Sequence, residues 1–232
     1  LGDLQVVAWI LASFSTIDQV KQAIEGVRIV GLDKTAVVHW RIGERSGRQV
    51  VMEIINGMVH FHENTVGVIT NSPDFLWQLT NLNNYVNLRP GAASDFRLSQ
   101  FTLRPIGGNS GFLGLPGDAT PPSRFVRAAF YRATAPQQAT GEQTILQAFH
   151  LLNNFDVPIG IEHPEGKVPD MPSATQWTSA IDLTRRRVYY KTAYNNTIRC
   201  IDLAKIDFSR VRYQSHPLDK EQRQPIKYLL IE

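Results

Sequence analysis

Residues 114–127 read GLPGDATPPSRFVR, and no other stretch limits so tightly what the chain can do. Pro116, Pro121 and Pro122 fix φ and remove three main-chain donors, while Gly117 lets the chain bend. The first half can only be a constrained loop. The second half, from Ser123 to Arg132, reads as a helix entered through proline and serine. Arg124 then falls in the first turn. A guanidinium is an unusual choice there, because the positive end of a helix dipole disfavours a cation. An acidic group is expected to meet it. Asp118 can pair with Arg124 at the surface, or fix the loop by bonding backbone amides. Arg127, one turn on, reads as a packing or ion-pair residue.

Length and charge narrow the class. At 232 residues a single domain is the default, and the chain is long enough to bury a real core. Charged residues make up 19% and the net charge is +3, too small to argue for nucleic acid or a membrane surface. The basic run at 185–187 reads as a solvated turn between strands. No run of apolar residues is long enough to span a membrane. The single cysteine, Cys200, excludes an intramolecular disulfide and a thiolate zinc cluster. It leaves the compartment open, periplasmic or cytoplasmic.

Periodicity supplies the coarse structure. Residues 2–14 read as a helix with Leu4, Val7, Ala8, Leu11 and Phe14 on one stripe. Ser15 is positioned to cap a second helix over 16–27. Strands are expected at 36–42 and 49–55, then across Asn56-Gly57, the strongest hairpin signal present, at 58–62. Residues 66–70 read as a short buried strand and 75–85 as a helix. Residues 87–111 are irregular. Phe96, Leu98, Phe101 and Leu103 within them suggest a strand broken by a bulge, too apolar for a solvated excursion. A helix at 143–153 precedes a Gly- and Pro-rich loop at 158–172. Three antiparallel strands follow at 175–182, 187–193 and 198–203, the last pair turned by Asn195-Asn196. Strands grouped apart from helix pairs indicate an α+β domain.

The GLPGDATPPSRFVR stretch resembles the choloylglycine hydrolase family, which holds bile salt hydrolases and penicillin V acylases. Residues 66–85, VGVITNSPDFLWQLTNLNNY, resemble it too, as do residues 169–208 with SATQW and RCIDL. The resemblance runs in order along nearly the whole chain. It implies the N-terminal-nucleophile hydrolases and their four-layer αββα sandwich. It also implies that the nucleophilic cysteine belongs to a segment ahead of Leu1, either upstream, or in a separate chain, or lost in a decayed relative. The sandwich would then be incomplete in this chain, and the chain alone inactive.

Several side chains are candidates for the chemistry. Asn71, where an apolar run ends in T-N-S-P, can donate from its amide to a developing oxyanion; it can equally cap the following helix or start a turn. The resemblance implies the oxyanion role. It also implies an active-site role for Arg124, beside the sulfur, where a cation favours thiolate. Phe75, Leu76, Phe112 and Leu113 can line a steroid-sized apolar cleft or belong to the core. Cys200 lies inside an expected strand and lacks the free α-amine of an N-terminal nucleophile, so it reads as a buried structural cysteine. His60 and His62 share one strand face, a spacing that can hold a metal, but no other ligand converges on them, and no metal is expected. The resemblance implies no cofactor.

The function expected is hydrolysis of a small-molecule, non-peptide amide. The resemblance favours a conjugated bile salt, with penicillin V as the alternative. An inactive binding or assembly module is the competing class. A homo-oligomer, most simply a tetramer, is expected to cover residues 87–111.

Overall fold

A computed structural model describes residues 1–31, 38–163 and 172–231. It divides into two units, Leu1–Thr134 and Ala135–Glu232. Parts of the expected first strand (36–37) and of the Gly- and Pro-rich loop (164–171) lie outside the described residues. Among the described residues, no helix is long and apolar enough to cross a membrane.

The first unit is organised on an antiparallel sheet of β1 (His39–Gly43), β2 (Gln49–Ile55) and β3 (Met58–Glu63), in that order. The β2–β3 hairpin turns as its residues demand: Asn56 and Gly57 take φ of 51° and 78°, the pair of positive values a type I′ turn requires. Residues 50–53 of β2 are all fully buried, so both faces of this strand are covered. On one face Met52 and Trp40 pack with Val6 and Ile10 of α1 (Val6–Ser13) and Val20 and Ile24 of α2 (Ile17–Ile24). The opposite alternation puts Val51 with Val68, Phe75 of α3 (Phe75–Leu82) and Phe125 of α4 (Pro121–Thr134).

Four local expectations are corrected here. The first helix buries Val6 and Ile10, whereas Leu4, Val7 and Leu11 are exposed. VVAWILA is apolar all round, so its periodicity cannot select a face. The second helix is capped by Thr16 rather than Ser15: Thr16 Oγ1 accepts from Gln19 N at 3.3 Å, and Gln19 Oε1 accepts from both Ser15 N and Thr16 N. Residues 66–70 form no strand. Two of their carbonyls are taken by side chains, Val66 O by Arg132 Nη1 at 3.1 Å and Val68 O by Asn64 Nδ2 at 3.2 Å. Gly67 is required here, with φ of 66° and the Arg132 guanidinium lying where a Cβ would stand. Finally, residues 96–103 are not one bulged strand. They are a hairpin of β4 (Phe96–Leu98) and β5 (Phe101–Leu103), and the break in periodicity is its turn.

The second unit packs α5 (Gly141–Leu152) on an antiparallel sheet of β6 (Trp177–Asp182), β7 (Arg187–Thr192) and β8 (Asn195–Asp202). Thr140 caps α5 through a box with Gln143, and the helix buries Ile145 and Phe149. Lys191 fastens β7 to the turn after α5, donating to Asn153 Oδ1 at 2.7 Å and Asp156 Oδ2 at 2.8 Å. The basic run forms the β6–β7 turn as expected, with Arg185 paired to Asp182 and Arg187 to Asp202. Two readings are corrected. Thr192 pairs with Asn195, so Ala193 and Tyr194 make the turn and both asparagines belong to β8. Cys200 is exposed rather than buried, because β8 is open on both faces here: Thr197, Ile198 and Ile201 are exposed as well.

Candidate active site

The Pro-rich loop ahead of α4 is held by its own polar groups. Asp118 accepts from Thr120 N at 2.8 Å, Thr120 Oγ1 at 2.5 Å and Ser123 Oγ at 2.6 Å. These bonds, from Ser123 foremost, hold its carboxyl well below the usual carboxylate range. The loop-fixing role expected of Asp118 is the one it plays. Arg127 is 8% exposed and reaches back along the loop to donate to Pro116 O at 2.9 Å and Asp118 O at 2.6 Å. Pro121 and Pro122 occupy the first helical positions, where the missing N–H groups cost nothing. Arg124 N donates to Thr120 O at 2.9 Å, which fixes Arg124 in the first turn.

From that turn the Arg124 guanidinium donates from Nε to Ala119 O at 2.9 Å and from Nη2 to Asn71 Oδ1 at 2.8 Å. The second bond joins two candidates 53 positions apart in sequence. It has a chemical consequence. A guanidinium only donates, so the end of the Asn71 amide that meets it is the carbonyl oxygen. The NH2 end is thereby directed away from Arg124, available as a donor. Helix capping, the other role open to Asn71, falls to Asp74, whose carboxylate accepts from Trp77 N at 2.9 Å.

Around Asn71 the link to α3 is fastened from two directions. Gln78 is 2% exposed, and its Nε2 lies 3.4 Å from Asn71 O and 3.5 Å from Pro73 O. Glu53, fully buried on β2, accepts from Phe75 N with both oxygens, at 2.9 and 3.1 Å. His39 Nδ1 lies 3.0 Å from Glu53 Oε1, and His62 Nε2 lies 3.7 Å from Oε2. Neither Glu53 nor Gln78 stood out in the sequence. The signal for Glu53 was present: a lone acid inside the apolar run VVMEII, in a strand flanked by three histidines on its neighbours.

The apolar candidates separate. Phe75 is 2% exposed and belongs to the core, edge-on to Phe125 at 6.0 Å between ring centroids. Leu76 and Leu113 are exposed, and Phe112 is half-buried against Phe130. The second unit carries a cavity of about 350 Å³ lined by Pro158, Ile159, Trp177, Lys191, Thr192 and Asn196 among others.

Comparison with known proteins follows the same lines. The chain is 36% identical over 202 residues to a bile salt hydrolase/transferase of Clostridium perfringens, which covers 85% of this chain and 60% of that protein. It spans, in other words, well under two thirds of that relative. A crystal structure of a cysteine-to-alanine mutant of the conjugated bile acid hydrolase from Clostridium perfringens superposes with a TM-score of 0.79 at 29% identity, over 98% of this chain and 69% of that one. The penicillin V acylase of Agrobacterium tumefaciens gives a TM-score of 0.67 at 26% identity, over 89% and 57%. The fold is the mixed α+β architecture of these N-terminal-nucleophile hydrolases, the class the resemblance implied. Residues 2–218 match the model of the linear amide C–N hydrolases, choloylglycine hydrolase family, and the chain belongs to that family.

Proposed function

We propose that this chain carries the oxyanion and charge-holding half of an amidase site whose nucleophile is a cysteine ahead of Leu1. The observation that carries the reading is the Arg124–Asn71 bond of 2.8 Å. A fixed amide NH2 on a braced loop costs no reorganisation when charge develops on a substrate carbonyl oxygen. In this reading the thiol proton passes to the α-amine of the nucleophile, and the thiolate adds to the amide carbon. Asn71 Nδ2 donates to the resulting oxyanion. The C–N bond then breaks, the leaving amine takes the proton, and water hydrolyses the thioester to release the acid and restore the thiol. Arg124 adds a cation near the sulfur, which favours thiolate.

The proposed substrates are conjugated bile salts. The Clostridium perfringens hydrolase is similar to this chain over a larger share of it, and at a higher TM-score, than the penicillin V acylase. The apolar side chains of Leu76 and Leu113 are open to such a substrate, and Phe112 is half-buried. The same reading assigns the exposed β4–β5 hairpin to contacts within a homo-oligomer, a tetramer in its simplest form.

The test is turnover. Cloning the open reading frame with its upstream codons should yield a protein that releases glycine or taurine from conjugated bile salts faster than it cleaves penicillin V. The 232-residue chain alone should release neither, with or without Cys200→Ser. Arg124→Ala should move the pH profile of iodoacetamide labelling upward, since loss of a neighbouring cation raises a thiol pKa. No turnover by the longer protein, or an unshifted labelling profile, would refute the respective role.

A further inference from the structure

We propose that Glu53 is a positioning residue for the oxyanion donor, acting on Asn71 through the first turn of α3. The inference rests on the oxyanion role proposed above. It begins from an oddity of β2. Positions 50–53 of this strand are closed to solvent, and the other three residues in the run are Val50, Val51 and Met52. A carboxylate in such a place is costly unless its oxygens are matched. An aliphatic side chain would satisfy the packing on that face, which already holds Val51, Val68, Phe75 and Phe125. Packing alone does not call for Glu53.

What the carboxylate does is specific. The N-terminal turn of α3 exposes N–H groups that the helix cannot satisfy itself. Asp74 takes one, Trp77 N, and Glu53 takes another, Phe75 N. Phe75 is where the helix begins, and the link from Asn71 to Asp74 hangs from it. Glu53 therefore ties the near end of that link to the most buried strand of the sheet. Gln78 ties the carbonyls of Asn71 and Pro73 to the next turn of the same helix. Arg124 ties the side chain of Asn71 to α4. His39 Nδ1, 3.0 Å from Oε1, holds the carboxylate itself in orientation. Loss of Glu53 frees the helix start, and Asn71 with it, while Arg124 stays in place on α4. Displacing a catalytic group by about 1 Å costs on the order of 10²-fold in rate.

The test is a double-mutant cycle in the complete protein. Glu53→Leu should lower kcat about 10- to 100-fold with KM within about twofold. Glu53→Gln keeps an oxygen facing Phe75 N and should recover most of kcat. In an Asn71→Ala background Glu53→Leu should cost nothing further, because the group it positions is gone. A loss that adds in full to Asn71→Ala, or that falls on KM alone, overturns the proposal. Where Glu53→Leu does not fold, Glu53→Asp, which draws the carboxylate back from Phe75, runs the same cycle. A second readout is independent of turnover. The side-chain NH2 resonances of Asn71 should move in Glu53→Asp while other asparagine NH2 groups hold still. Unmoved Asn71 resonances overturn the inference, whereas an inactive parent protein overturns only the amidase reading.

Discussion

Two connecting stretches of the first unit, the loop over 114–120 and the excursion over 87–111, are built from the same residue types and end in opposite states. Both are rich in glycine and proline. The shorter loop turns its polar groups inward. Asp118 meets Ser123 and Thr120, and Arg127 is buried against two carbonyls. The excursion is closed at its neck, where Gly111 exchanges bonds with Arg89 and Gly91 at 3.0 and 2.9 Å. Beyond the neck its apolar side chains face outward: Phe96 is 61% exposed and Phe101 is 67% exposed. The loop is satisfied by its own chain and can hold Arg124 still. Among the described residues the excursion presents apolar surface left uncovered, the surface that the proposed oligomer would bury.

Breaking the inward bracing should have the largest effect. Arg127→Ala removes the donor that Pro116 O and Asp118 O share and leaves a cavity where the buried side chain stood, and should cost roughly 3 kcal/mol in denaturant unfolding. A loss below about 1 kcal/mol would mean that the loop is held by its prolines alone.

The neck comes next. A Cβ on Gly111 would stand 2.4 Å from Arg89 O and 2.7 Å from Gly91 O, so backbone must shift. Gly111→Ala should destabilise by roughly 1–3 kcal/mol. Unchanged stability would show that the neck is loose and the contrast between the two stretches overstated.

Asp118 sharpens the comparison through pH. Its folded-state pKa lies below the ordinary value, so its contribution is present above an unfolded pKa of about 3.9 and is lost as pH falls toward the folded value. The difference in unfolding free energy between the parent and Asp118→Asn should be constant near neutrality and shrink in strong acid. A difference that grows on acidification would reverse the assignment.

At the hairpin tip the smallest stability change is expected, with the clearest change in assembly. Replacing Phe96, Leu98, Phe101 and Leu103 by serine should alter monomer stability by no more than about 0.5 kcal/mol each. Light scattering should then report the parent as an oligomer and the variant as a monomer. An oligomer that survives the four serines would remove the hairpin from the interface.

What could be read from the sequence follows the range of the forces involved. The Pro-rich loop, the Asn56-Gly57 turn and the entry into α4 are set by residues within a few positions, and they stand where expected. Residues 96–103 were legible as apolar and alternating, but a two-residue break fits a bulge as well as a turn. α1 misled because it is apolar on every side. Residues 66–70 misled because an apolar run says nothing of whether a neighbour exists to pair with. Cys200 misled because cysteine's preference for burial says nothing of whether a layer covers its strand, and β8 is open on both faces. Asn71 and Arg124 were each legible through a local motif. Their contact, and the support from Glu53 and Gln78 beneath it, depends on chain segments that only folding brings together.

The amide NH2 of Asn71 is the donor on which the proposed site depends, and Asn71→Asp tests it most directly. The substitution keeps an oxygen for Arg124 Nη2 and removes the donor, with hardly a change in shape. In the complete protein kcat for a conjugated bile salt should fall by about 10²–10³ with little change in KM. A kcat within a few fold of the parent, or a loss confined to KM, would contradict the oxyanion role.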